Sequence, residues 1–129
     1  FNKVETLIDF KQKIFKNKKL ISDLILNLND TNKKVAGYGA STKGNVILQF
    51  CKFNSKSISY IVDLNPYKRN RVTPGTNIKI INENDFKKKK VDYLLVLPWH
   101  FKNHILQKER KFIRNGGHFI FPLPDIEII

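Results

Sequence analysis

The residues best suited to chemistry stand in one short run, Gly37-Tyr38-Gly39-Ala40-Ser41-Thr42-Lys43-Gly44-Asn45. The run follows an apolar stretch and opens a helical pattern, the context in which a glycine run earns weight as a phosphate-binding turn. Gly37 permits a tight turn with positive φ, and Gly39 lets the backbone approach a ligand closely. Ser41 or Thr42 can cap the helix and leave its remaining N–H groups facing outward. Those amides and the helix dipole attract an anion, and Lys43 adds a cation beside them. The pattern departs from G-x-G-x-x-G, because Thr42 holds the third glycine position and the next glycine is Gly44. A tight strand–helix connection with no ligand is the other reading of the same glycines.

A second set of residues falls where the following strands end. Asp63 closes the next strand, which in a doubly wound sheet puts a carboxylate at the same edge, within reach of ribose hydroxyls. Asn65, Tyr67 and Lys68 follow it, and Pro98, Trp99 and His100 follow a later apolar strand. Trp99 is either a stacking surface for a base or sugar or a rim aromatic packed on the last helix. His100 and His104 share a helical face, but two ligands do not make a metal site, and no metal is expected. His118 is read as structural on a core strand, Cys51 as a buried helix residue, and the lysines at 87–90 as a solvated face.

These residues need a frame, and the hydrophobic periodicity supplies one. Residues 3–28 read as helix, with Val4, Leu7, Ile8, Ile14, Phe15, Ile21, Leu24, Ile25 and Leu28 at spacings of three and four, and Asn17 as a point where the helix can break. Strands are predicted at 34–38, 57–62, 77–81, 91–97 and 118–121. Helices are predicted at 42–53, with Val46, Ile47, Phe50 and Cys51 on one face, at 84–88 with Asn84 as cap, and at 101–114. Gly116-Gly117 stops the last helix, and Pro122 and Pro124 close the last strand. Strands alternating with helices predict an α/β fold: a Rossmann-like, mostly parallel sheet with helices on both faces, preceded by a long N-terminal helix. Residues 1–32 form the leading helix or helices and 33–129 the nucleotide-binding domain.

Bulk properties agree. The chain has 129 residues, 41% of them hydrophobic, enough for one core without staples. No apolar run reaches the length of a membrane span, no secretory signal opens the chain, and one cysteine allows no internal disulfide, so a cytoplasmic setting is expected. The net charge of +13 is spread over many segments. It favours anionic ligands without specifying nucleic acid, which is not expected as a partner. The start at Phe1 and the absence of methionine are read as marks of a piece of a longer protein.

Taken together, Gly37-Tyr38-Gly39-Ala40-x-x-Lys43-Gly44-Asn45, Val62-Asp63-x-Asn65-Pro66-x-Lys68, Pro74-Gly75-Thr76, Leu97-Pro98-Trp99 and Gly116-Gly117 before Phe119-Ile120 closely resemble the C-terminal domain of sugar C-methyltransferases. The likeness runs from about residue 34 onward, and the N-terminal helix is similar to that family's linker helix. The resemblance implies a substrate-binding domain of an S-adenosylmethionine-dependent enzyme that methylates a carbon of a nucleotide-linked keto-deoxysugar. It also implies upstream domains holding the zinc, the cofactor and the catalytic base. On that reading this chain has no catalytic residue and no cofactor of its own, and is inactive alone. The diphosphate of a nucleoside-diphosphate sugar would lie over residues 41–45, with Lys43 as counter-charge. Asp63 and Asn65 would meet the ribose or base, and Lys68, Trp99 and His100 would face the upstream methyltransferase domain.

Three rivals remain open on the residues alone. They are a free-standing NAD-type dinucleotide module, a nucleic-acid module driven by charge, and an interaction domain whose glycine turn is empty. Pairing of two chains through the apolar stripe of the N-terminal helix is a further expectation.

Overall fold

The computed structural model describes residues 3–65, 67 and 71–129, with side chains in the leading helix described at Asp9, Gln12 and from Phe15 onward. Pro66 and Lys68, and the side chains of Val4, Leu7, Ile8 and Ile14, lie outside the described residues.

Helix α1 (Lys3–Asp30) runs 28 residues without interruption. Ile21 and Ile25 are buried, and Leu24 and Leu28 pack against the same core. Asn17 does not break the helix. It is buried, and its Nδ2 donates to the carbonyls of Pro122 and Pro124 at 3.3 and 3.2 Å, so a polar residue on the inward stripe ties α1 to the turn after the fifth strand. Phe15 was expected inward; it is 64% exposed, its ring meeting Phe50 edge-on at 4.9 Å.

The strands are β1 (Val35–Tyr38), β2 (Ile61–Val62), β3 (Ile80–Ile81), β4 (Tyr93–Val96), β5 (His118–Phe121) and β6 (Glu127–Ile128). They form one six-stranded sheet in the order β3-β2-β1-β4-β5-β6. The first five are parallel and β6 is antiparallel to β5. The order reverses between β1 and β4, which makes their carboxyl ends the switch point where open α/β sheets bind ligands. The continuous apolar strands fit a parallel sheet covered on both faces. One face carries Val35, Ile61, Leu95 and Ile120 against α1 and helix α2 (Thr42–Phe50). The other carries Ala36, Tyr38, Leu94, Val96 and Phe119 against α3 (Glu83–Lys87), α4 (Lys102–Lys108) and α5 (Arg110–Arg114).

Several local expectations shift. Helix α2 ends at Phe50, because Lys52 turns to φ 55. Val46 faces out while Leu48 is buried beside Ile47, so the inward stripe is displaced by one position. Asn82, not Asn84, caps α3: its side chain accepts the Asp85 N–H at 2.7 Å directly after β3. The single helix predicted over 101–114 is a 3-10 turn (Trp99–Phe101) followed by α4 and α5, with Glu109 between them at φ −104, ψ 29. β6 was not predicted, its two residues being too short to show a period. His118, read as a core residue, is the exposed first residue of β5, its ring stacked on Tyr93 at 5.1 Å.

On the α3 side, Tyr60 is 9% exposed and its hydroxyl has no hydrogen-bond partner among the described residues. Burial pushes its pKa from 10.0 to about 12. The unfolded chain therefore gives up this proton first. The contribution of Tyr60 is whole below pH 10 and is lost as pH rises from there through about 12. Urea unfolding followed from pH 8 to 12 should show that loss, and Tyr60→Phe should make it shallower while leaving neutral-pH stability equal or higher, since no hydrogen bond is forfeited. An unchanged alkaline slope in the variant would remove Tyr60 as the cause.

Candidate functional site

The glycine run bridges β1 and α2 at the switch point. Gly37 lies within β1 and does not make the turn; its missing side chain leaves room for Ile61, whose Cγ1 would sit 2.8 Å from a Cβ. The positive φ belongs instead to Gly39, at +82°, where a Cβ would also meet Pro98 Cδ at 2.8 Å. Gly44 is buried in the first turn of α2, and a Cβ there would overlap Leu97 Cβ. The close helix–strand approach made by the third glycine of G-x-G-x-x-G thus falls to Gly44 rather than position 42.

Ser41 is the cap. Its Oγ accepts the Gly44 N–H at 3.0 Å, and its own carbonyl accepts the Asn45 N–H. Among the described residues, the amides of Thr42 and Lys43 find no acceptor, and both side chains are exposed. Asn45 is half-buried, with an Oδ1 that has no partner among the described residues. The sequence therefore produces an α2 amino end with two outward N–H groups, a lysine and no acidic residue in the first turn. That is the electrostatic setting that attracts a phosphate.

Asp63 lies beside this turn, but its oxygens are engaged. Oδ2 accepts the Ala40 N–H and Oδ1 the Asn65 N–H, both at 2.7 Å. The carboxylate clasps the loop after β1 to the loop after β2. Asn65 is exposed, and its Oδ1 accepts the Tyr67 N–H at 3.0 Å. The site residues at Ala40, Asp63 and Asn65 are thus brought together, first of all by bonds to one another.

Tyr38 points away from the α2 amino end. It is buried, and its hydroxyl donates to Glu109 Oε1 at 3.2 Å. Burial and, next, the charge of Glu109 hold its pKa well above the usual phenol range. Trp99 is half-buried against the second core, with His100 exposed and edge-on to it at 6.0 Å. Burial pushes the Cys51 thiol's pKa up, against partial offsets from Ser22 and Lys18.

Between Gly39 and Pro98 opens a crevice of about 200 Å³, lined also by Asp63, Phe101, His104 and Lys108. That volume is below the roughly 300–1,000 Å³ of whole-ligand pockets and suits one ring-sized group. Phe101, His104 and Lys108 were not picked from the sequence as site residues. Their spacing of three and four on a helix beginning at the carboxyl end of β4 is the signal that places them on one face.

Among the described residues no group of three His, Cys, Asp or Glu gathers in metal-binding geometry. No described helix is long and apolar enough to cross a membrane.

Comparison with known proteins adds two findings. Over residues 1–124 the chain matches the family described as C-methyltransferase C-terminal domain. Over 109 residues it is 34% identical to the C-methyltransferase NovU of Streptomyces niveus, in a match that covers 84% of this chain and 26% of that protein. The chain spans well under half the length of the curated relative it matches.

Proposed function

The chain belongs to the C-methyltransferase C-terminal domain family, and from that premise we propose that it is the substrate-holding domain of an enzyme that methylates a carbon of a nucleoside-diphosphate-linked keto-deoxysugar. The observation that carries the reading is the amino end of α2, where the Thr42 and Lys43 amides and the Lys43 side chain are open to an anion. The diphosphate lies there. The crevice beside Gly39 and Pro98 takes a ring of the same ligand, with Phe101 as its apolar wall and Lys108 at its rim. Asp63 keeps the two loops in register so that both contacts are made at once.

S-adenosylmethionine, proposed as the cofactor of the whole enzyme, supplies the methyl group. No residue of this chain is assigned to it, and the base that prepares the acceptor carbon is assigned to the upstream methyltransferase domain. The share of this chain is to bind and orient. Fixing one reactant removes part of the entropy cost of bringing two together. His100, on the exposed rim, and Lys68 are assigned to the side facing that domain.

Lys43→Ala should weaken dTDP binding about ten- to a hundred-fold, the equivalent of one charge-assisted hydrogen bond of about 1.5–3 kcal/mol. Titration calorimetry with dTDP, NAD and S-adenosylmethionine side by side is the test. Binding of dTDP that does not depend on Lys43, or tight binding of NAD alone, would overturn the reading.

A further inference from the structure

The face of the sheet opposite α1 is incompletely covered. Helix α3 has five residues and α5 has five, and between them a groove of about 540 Å³ runs across the sheet. It meets the switch-point crevice at Tyr38, Val62 and Leu64, which line both. Its volume is that of a small-molecule site. Phe86 from α3 and Phe112 from α5 line it and pack on each other, their ring centroids 6.3 Å apart and tilted at 47°, so together they give it an aromatic floor.

The charges along the groove are sorted. Helix α3 leads from the carboxyl end of β3 to the amino end of β4, and α5 leads to the amino end of β5. Glu83 opens α3 and Glu109 precedes α5, so these carboxylates stand toward the carboxyl edge. Lys87, Lys89, Lys90 and Lys111 follow them toward the amino edge. Asp92 also lies at that end, but its Oδ2 accepts the Lys34 N–H at 2.9 Å, and Glu109 is held by Tyr38. Among the described residues none of the four lysines forms an ion pair; the pair present is Lys102–Glu127.

We propose that this groove is a second binding site, for a small aromatic anion whose ring system lies against Phe86 and Phe112 and whose acidic group meets the lysines at the amino edge. The site is distinct from the α2 amino end. Its Lys87, Lys89 and Lys90 stand toward the opposite edge of the sheet, a four-residue strand or roughly 13 Å away. It does not rest on the methyltransferase reading.

The probe is 8-anilinonaphthalene-1-sulfonate, with uncharged N-phenyl-1-naphthylamine as its control, titrated by fluorescence into the chain and mapped by amide nuclear magnetic resonance. The sulfonate should bind saturably at one-to-one stoichiometry and at least tenfold more tightly than the neutral compound. Its amide shifts should centre on Phe86, Phe112, Gly116 and Gly117. Reversing charge with Lys89→Glu and Lys111→Glu, both exposed positions, should weaken the sulfonate at least tenfold and leave the neutral compound unchanged. Lys89→Gln with Lys111→Gln should give an intermediate loss. Lys43→Ala should leave the affinity for both fluorescent probes as it is. Equal affinity for both probes, shifts centred on the exposed Phe15, Leu20 and Leu26 of α1, or a sulfonate affinity that follows Lys43 instead of Lys89 and Lys111 would each overturn the proposal.

Discussion

Gly44→Ala is expected to destabilise the fold by about 2 kcal/mol, although alanine is the better helix former by about 1 kcal/mol. The sign follows from what a Cβ would meet. Leu97 Cβ occupies the place, and Ser41 Oγ is 2.9 Å away. A flexible side chain could yield by rotating, but Leu97 Cβ is fixed to the backbone next to β4, and Leu97 is fully buried. Helix α2 must therefore lift from the sheet, drawing Ile47 and Leu48 partly out of the core and moving the Ser41 cap. Gly44→Val should cost more, about 3 kcal/mol or beyond, because a β-branched side chain adds volume at the same point. Urea midpoints with unchanged slopes are the measurement. Stabilisation of the alanine variant by its helix propensity would show that α2 is not held against Leu97.

Asp63→Ala carries the second large effect. Two amide hydrogen bonds at 2.7 Å, from the Ala40 and Asn65 N–H groups, are lost at once. Charge-assisted bonds of this kind contribute about 1.5–3 kcal/mol each. Asp63 is partly exposed, so solvent recovers some of that, and about 2–3 kcal/mol is expected for the pair. Asp63→Asn keeps one carbonyl oxygen and turns an NH₂ toward the other amide, so it should retain about half of the loss-free stability difference. Amide hydrogen exchange separates this role from direct ligand contact. Faster exchange at Ala40 and Asn65 in the ligand-free variants is expected, together with weaker dTDP binding. Unchanged exchange beside weakened binding would instead assign Asp63 to the ligand alone.

The parts of the fold that were legible are those set by local chemistry. The apolar run before Gly37, the cap choice at Ser41 or Thr42 and the proline stop after Leu97 all act over a few residues, and the sheet follows from their alternation. What was not legible depends on partners far along the chain. Asn17 reads as a helix breaker until the carbonyls of Pro122 and Pro124 are in place. The turn was assigned to Gly37, whose glycine is instead required by Ile61 on the neighbouring strand, while Gly39 makes the turn. Asp63 was recognised as belonging to the carboxyl edge, but its hydrogen bond to Ala40 forms only once β1 and β2 are paired. The short α3 was legible as a helix at 84–88, but the groove on the second face was not, because it depends on how α3 and α5 seat on the sheet.

The sheet's outermost strands bear on solubility in crowded conditions. The most apolar segments, β1, β4 and β5, are just the kind that add to a neighbouring chain when their edges are open. None of them is at an edge. β6 is seated along β5 through Phe119 and Ile129, which exchange N–H···O bonds of 2.8 and 2.9 Å, and β3 closes the other side with two residues. Each border strand is only two residues long, too little template for a third chain to extend. Detaching β6, for example with proline at Glu127, would uncover β5 and turn a monomer-compatible sheet into a nucleus for aggregation.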